Sequence, residues 1–266
     1  MSTSGRGVEP LPSREALVAA TADHPFARFD LSSTVVDPGL HVAGTRTVAW
    51  AQHWADGRLG VVVLGDPVDV AVLAAADATR EWVEDLAPDH VTAPADAYDP
   101  LREALGLRGG NAWDRMWTTT HPPAIRAERD VVPHDGDDGE LADFVRAHNP
   151  HPHAIPGQSA EQRWVVVRED GRLLACGCTE PGNADVPLIG GIVVDSAQRG
   201  RGLGAAVTAY LTREALARTG ACTLAVFADN DHARGLYERL GYRVGLHART
   251  GFPVRTGRRA PSRDAR

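Results

Sequence analysis

The stretch from Val193 to Ala206, VVDSAQRGRGLGAA, constrains this chain more than any other. An apolar run ends at Val194, and Gly200, Gly202 and Gly204 follow. A helix-like segment comes next, with Leu203, Val207, Tyr210 and Leu211 on one helical face. The order strand, glycine loop, helix calls for an α/β arrangement with the loop at a helix N-terminus. Glycines there turn successive backbone N–H groups inward, making a nest of donors capped by the positive end of a helix dipole. Arg199 and Arg201 add guanidinium groups able to fork onto phosphate oxygens. The loop suits a diphosphate, although an ordinary glycine-rich turn is spelled with the same residues.

The segments around the loop are legible. GELADFVRAHN predicts a helix, and RWVVVREDGRLLACGCTEP predicts a hairpin turning at Asp170-Gly171. VPLIGGIVV predicts the strand before the loop, and the helix after it runs from about Gly202 to Thr219. CTLAVFA is a further strand. DHARGLYERLG is a helix with Ala233, Leu236, Tyr237 and Leu240 on one side and Gly241 as its stop, and YRVGLHAR is a closing strand. Upstream of the Pro- and acid-rich stretch Thr118–Glu140, a fainter run has the same order. GRLGVVVLGDP is a strand, DVAVLAAADATREWVEDL a helix, HVTAP a strand, DPLREALG a helix and NAWDRMWTTT a strand. It lacks the arginine–glycine loop and reads as a degenerate copy.

A chain of 266 residues exceeds one average domain, and two of about 130 residues each are expected. The boundaries fall at 1–125 for the N-terminal domain and 126–250 for the C-terminal one. Residues 251–266 form a patternless, Arg-rich tail expected to be disordered. A net charge of −7 argues against a nucleic-acid partner. All 28 basic residues are Arg, which removes Schiff-base and other lysine chemistry. No apolar run approaches the roughly 20 residues of a membrane span, and the N-terminus lacks a signal-peptide core. A cytoplasmic protein without membrane partners is expected. Cys176, Cys178 and Cys222 fit neither a zinc nor a redox spacing and read as small buried apolar residues, the first two on one strand face.

Two diphosphate ligands compete for the loop. GRGLGA, Gly200–Ala205, fits a dinucleotide fingerprint. That fingerprint follows its strand directly and opens several βαβ units, whereas Asp195–Arg199 intervene here and only about 60 residues follow. Coenzyme A is the other ligand. VVDSAQRGRGLG resembles the acyl-CoA loop of the Gcn5-related N-acetyltransferase (GNAT) family, Arg/Gln-x-x-Gly-x-Gly/Ala, with Arg199, Gly202 and Gly204 in register. NDHARGLYERLGY, Asn230–Tyr242, resembles the second family signature, an Asn with Ala three residues on and Tyr seven on, leading to a Leu-Gly-aromatic stop. The resemblance covers roughly Asp130–Thr250. The N-terminal half is similar only in layout, as in tandem members in which one copy has lost its loop.

The resemblance implies a mixed α/β (α+β mixed sheet) acyl-CoA N-acyltransferase fold, with two GNAT-like domains in tandem. It implies acetyl-CoA as acyl donor, in a gap between two splayed parallel strands. Main-chain groups of the Ile192–Val193–Val194 strand, chiefly of Ile192 and Val194, would meet the pantetheine arm and acyl carbonyl. Gly200, Arg201, Gly202, Leu203 and Gly204, with Arg199, would hold the pyrophosphate, and Asn230 would bond the arm from the other lip. Tyr237 matches the family's general acid; read from the residues alone, it is a core tyrosine with its hydroxyl tied off. Where some members carry a basic carboxylate this chain has Leu188, which leaves Glu180 or Asp185, acting through water, or a water chain alone.

The histidines of HNPHPHAIPG, His148, His151 and His153, read as a polar loop, with a substrate-facing base or a metal site as lesser alternatives; no metal is expected. Trp113, Met116 and Trp117 read as core or interdomain packing. The resulting expectation is an N-acetyltransferase acting on the primary amine of a small molecule or peptide, as a monomer or homodimer. The competing class is a non-catalytic acyl-CoA-binding regulatory module.

Overall fold

The computed structural model describes residues 6–22, 24–54, 57–150 and 152–254. In chain order the first elements are β1 (Val8–Pro10), α1 (Arg14–Thr21), α2 (Pro25–Asp30), β2 (Val35–Val42), β3 (Val48–His53) and β4 (Leu59–Leu64). Then come α3 (Pro67–Ala75), α4 (Asp77–Leu86), β5 (His90–Pro94), α5 (Tyr98–Ala104), β6 (Ala112–Thr118) and β7 (Val131–Pro133). The remainder are α6 (Asp138–His148), β8 (Arg163–Glu169), β9 (Arg172–Glu180), β10 (Leu188–Val194), α7 (Leu203–Thr219), β11 (Cys222–Phe227), α8 (Asp231–Arg239) and β12 (Arg243–Gly251). They fall into two compact units, each discontinuous in sequence. One takes Met1–Thr21, Thr34–Asn111 and Ala248–Arg266; the other takes Ala22–Ser33 and Ala112–His247.

In the first unit β1, β2, β3 and β4 form an antiparallel run, β5 joins β4 in parallel, and Ala248–Gly251 of β12 pair antiparallel with β5. Alternate residues of these strands meet Val70, Leu73, Tyr98 and Leu101 in one core. Two expectations are corrected here. The segment read as one helix after β4 is two, α3 and α4, parted at Ala76, whose backbone is extended (φ −74°, ψ 133°). A continuous helix would carry the buried face of Val70 and Ala74 on to Asp77 and Glu81. The break instead turns Thr79 and Val83 inward and leaves those carboxylates in water. The tail is ordered further than expected, because Gly251 pairs with Val91 and Phe252 bridges to Arg108. Residues 255–266 lie outside the described residues.

The second unit runs β6-β11-β10-β9-β8-β7, with β10 and β11 parallel and every other pair antiparallel. Asp170 (φ +50°) and Gly171 (φ +80°) close the β8–β9 hairpin as a two-residue turn with both residues left-handed, as the Asp-Gly pair predicts. On one face α7 and α8 cover Val165, Ile189, Leu224, Val226 and Met116. On the other, Leu141 and Val145 of α6 cover Trp164, Val166, Val193, Cys176 and Cys178. All three cysteines are buried and unpaired, and the two on β9 share a face as the strand period requires. The aromatic cluster of β6 divides between faces. Met116 lies under α7, whereas Trp117 meets Phe29 of α2 at 5.0 Å. Beside it, Arg115 Nε donates to the buried Asp30 carboxylate at 2.9 Å, and Nη2 makes a second bond. Among the described residues no helix is long and apolar enough to cross a membrane.

Candidate functional site

The parallel strands β10 and β11 share only two rungs, Leu188↔Thr223 and Ile189↔Leu224, although β10 runs on to Val194 and β11 to Phe227. The ladder stops where β10 bulges. Between Gly190 and Val193 it spends one more residue than β9 does between Cys178 and Cys176. Gly191, at φ +61°, makes the bulge, and a Cβ there would stand 2.6 Å from Trp164 Cη2, so only glycine fits. A bulge bends its strand, and β10 leaves β11 at this point. Asp195 N–H donates to Leu174 O on β9 at 2.9 Å. Strand alternation then turns the peptide groups of Ile192 and Val194 toward the gap, while Val193 pairs with Cys176 of β9.

The gap leads to the glycine loop. Asp195 accepts from Ala197 N–H at 2.9 Å and pairs with Arg172 at 2.7 Å. The Ala197 amide chiefly, helped by Arg172, holds its carboxyl below the usual range. Gly200 (φ +81°) and Gly202 (φ +77°) both have open space where a Cβ would be, so the sign of φ, not crowding, calls for glycine. The first intrahelical bond of α7 is Ala206 N–H to Gly202 O at 3.0 Å, and Gly202 has no side chain to cap the helix. The amides of Leu203, Gly204 and Ala205 are thus left as donors at the positive end of a 17-residue helix. The two arginines expected at the rim differ. Arg201 is drawn to Glu169 (3.1 Å) and Gln198 (2.6 Å), whereas Arg199 is exposed and unpaired among the described residues. The turn from β4 into α3 has the opposite chemistry. The Asp66 carboxylate caps Val68 N–H at 3.0 Å and Pro67 has no N–H, so an anion would meet a charge of its own sign.

Helix α8 supplies the opposite lip. Asn230 caps it, its Oδ1 accepting from Ala233 N–H at 3.1 Å, which leaves the side-chain NH₂ as a donor. Tyr237, two turns on, is 9% exposed, and burial pushes its phenol up to about 12. Its hydroxyl makes no hydrogen bond among the described residues. Tyr242, edge-on to it at 6.1 Å, has its hydroxyl bonded to Thr212 Oγ1 (2.8 Å) and Cys222 Sγ (3.2 Å). Of these adjoining phenols, one is tied off and the other is not.

At the foot of the gap Glu180 ends β9. Gln162 Nε2 donates to its Oε1 at 2.7 Å, and Gln162 Oε1 accepts from Trp164 Nε1 at 3.1 Å. Its Oε2 stands 3.4 Å from where a Cβ of Gly190 would lie, which puts the carboxylate over β10 at the mouth of the bulge. Asp185 lies in the loop before β10, at φ +58°. The histidine loop is dispersed. His148 Nδ1 accepts from Ser196 N–H at 3.3 Å, His153 is exposed and His151 lies outside the described residues. Among the described residues no group of three His, Cys, Asp or Glu side chains is placed to hold a metal. The bulge at Gly191 and the Gln162–Glu180 bond were not singled out in the sequence. The Gly-Gly pair within an apolar strand was the available sign of the first.

Residues 130–242 match the profile of the Acetyltransferase (GNAT) family. Among solved structures, a GNAT-family protein from Novosphingobium aromaticivorans is similar over 88% of this chain and 94% of its own, with 21% identity and a TM-score of 0.51. A GCN5-related N-acetyltransferase from Sphaerobacter thermophilus is similar over 80% and 78%, with 19% identity and a TM-score of 0.51. At these identities the likeness is one of fold. No curated protein matches the chain.

Proposed function

Residues 130–242 belong to the GNAT acetyltransferase family, and from that premise we propose that the chain transfers an acetyl group from acetyl-CoA directly to a primary amine of a small molecule or peptide. The observation that carries this reading is one continuous feature, a gap opened by the Gly191 bulge that runs into the donor nest of α7. The fit to a diphosphate on a thin arm is good. Gly200–Gly204 offer amides without competing side chains, Arg199 is available for charge, and the peptide edges of Ile192 and Val194 suit an amide-bearing arm laid along them. The Asn230 NH₂ would bond that arm from the other lip.

When bound, the donor supplies a thioester carbonyl, at which an amine nitrogen forms the new C–N bond as the C–S bond breaks. The chain's part is positioning and proton movement. Tyr237 holds its proton throughout the neutral range and releases it to the departing sulfur, and the second nitrogen proton, lost as the amide forms, restores it through water. The Tyr237 hydroxyl has no hydrogen bond among the described residues and its oxygen is not enclosed, so it is available to the departing sulfur, which supports an active enzyme over a silent binding module. Glu180 takes the proton of the acceptor ammonium through water, from its place above Gly190. Leu188, its partner in register on β10, has no atom for that task. The first unit, with Asp66 and Pro67 at its strand–helix turn, is a second copy that no longer holds a diphosphate.

Thermal unfolding with acetyl-CoA, CoA or NADH tests the seat. Saturation a hundredfold above the dissociation constant stabilises by about 2.7 kcal/mol. Acetyl-CoA and CoA should stabilise the wild type and fail with Gly202→Asp; stabilisation by NADH alone would remove the reading. Thiol release that depends on an added amine tests the transfer.

A further inference from the structure

We infer that the acceptor amine carries an aromatic or bulky apolar group a short spacer from its nitrogen, and that Phe227 selects it. The inference rests on the acetyl-transfer reading and adds the substrate class. Past its last rung with β10, β11 turns Leu224 and Val226 into the core beneath α7 and α8. By the strand period Ala225 and Phe227 face the other way, along the open lip of the gap. Ala225 is exposed there, and Phe227, 47% exposed, presents its ring at the strand end. Phe227 lies opposite Trp113 of β6, so the ring has an aromatic neighbour rather than a polar one.

The rest of this face agrees. The rung Ile189↔Leu224 sets Ala225 level with Gly190 across the gap. The facing lip is Gly190 and Gly191, which have no side chains, with Trp164 and Ala154 packed against them. The polar group at this foot is the Glu180 carboxylate, suited to an ammonium group. Along β11, from Ala225, level with Gly190 and the carboxylate above it, to Phe227 is two residues of strand, about 6.6 Å. A two-carbon spacer between ammonium and ring bridges most of that distance. An arginine in register with this lip is already committed. Arg115, which faces Ala225 in register, is buried with both arms of its guanidinium on Asp30. The lip therefore presents a carboxylate followed by an aromatic surface, the complement of an arylalkylamine.

The test is initial-rate kinetics with acetyl-CoA and two probes, 2-phenylethylamine and ethanolamine, followed by thiol release. The wild type should prefer 2-phenylethylamine by at least about 30-fold in kcat/KM. Phe227→Ala should cut that ratio about tenfold, mostly through KM, and Phe227→Trp should keep it. Unchanged thermal midpoints show that both variants fold. Thiol release with no preference between the amines, or equal losses for both in Phe227→Ala, overturns the inference and leaves acetyl transfer standing. If thiol appears with neither probe nor any other amine, the transfer reading fails and takes the inference with it.

Discussion

Tyr237 and Tyr242 lie edge-on, 6.1 Å apart, and loss of one oxygen from each should have opposite consequences. Tyr237→Phe removes a hydroxyl with no hydrogen bond among the described residues, so the fold loses almost nothing. If that hydroxyl protonates the departing thiolate, kcat should fall by about 10²–10⁴, or about 2.7–5.5 kcal/mol of transition-state stabilisation. Tyr242→Phe removes the partner of Thr212 and Cys222. At about 0.5–1.5 kcal/mol for each of the two buried bonds, stability should fall by about 1–3 kcal/mol, or about 2–12 °C in Tm, with kcat within about threefold. The assay pairs thiol-release kinetics at saturating donor with thermal unfolding of both variants. The pH profile adds a check. With the Tyr237 phenol pushed up to about 12, its loss of a proton puts no falling limb on kcat across pH 7–10. The reasoning is refuted if Tyr237→Phe keeps kcat within threefold, or if it loses stability as Tyr242→Phe does.

Arg199→Ala should raise the donor dissociation constant about tenfold, about 1.4 kcal/mol. Arg201→Ala should raise it less than about threefold, because Arg201 is already committed to Glu169 and Gln198; titration calorimetry with CoA decides between them. Arg115→Ala removes the guanidinium paired with the buried Asp30 carboxylate and should cost about 3–5 kcal/mol, whereas Arg115→Met with Asp30→Leu should recover most of it, as read by urea unfolding. Burial pushes the Cys176 and Cys222 thiols and the Tyr237 phenol each up to about 12, from ordinary values of 9.0 and 10.0. Folded pKa values above the unfolded ones mean that this stability is complete below about pH 9 and lost as pH rises toward 12. The urea midpoint should therefore fall steadily over that window, and a flat profile would contradict the burial of these groups.

Much of the site was legible because its parts are local. The strand, glycine loop and helix from Leu188 to Thr219 follow from period and from glycines that adopt positive φ, and α7 begins at Leu203 within a residue of its expected start. The Asp-Gly hairpin and the shared face of Cys176 and Cys178 follow from the same short-range rules. The N-terminal elements before β4 were less legible. Pro38 and Gly39 interrupt β2, where a Cβ on Gly39 would stand 1.8 Å from Ala49 O, so the strand is bulged and its alternation hidden.

By itself the sequence determined that a helix N-terminus rich in glycine would follow a buried strand, and that an Asn and a Tyr two turns apart would share a second helix. Both depend on contacts within a few residues, which composition and spacing specify. Only the tertiary structure decided which chemically equal groups are available. Arg201 is engaged because Glu169, 32 residues away, arrives beside it, and Arg199 is left unpaired among the described residues. Tyr242 is tied off because Thr212 and Cys222, 30 and 20 residues away, meet its hydroxyl, and Tyr237 has no such neighbour among the described residues. Pairings at that separation depend on how strands and helices stack, and no local pattern encodes them.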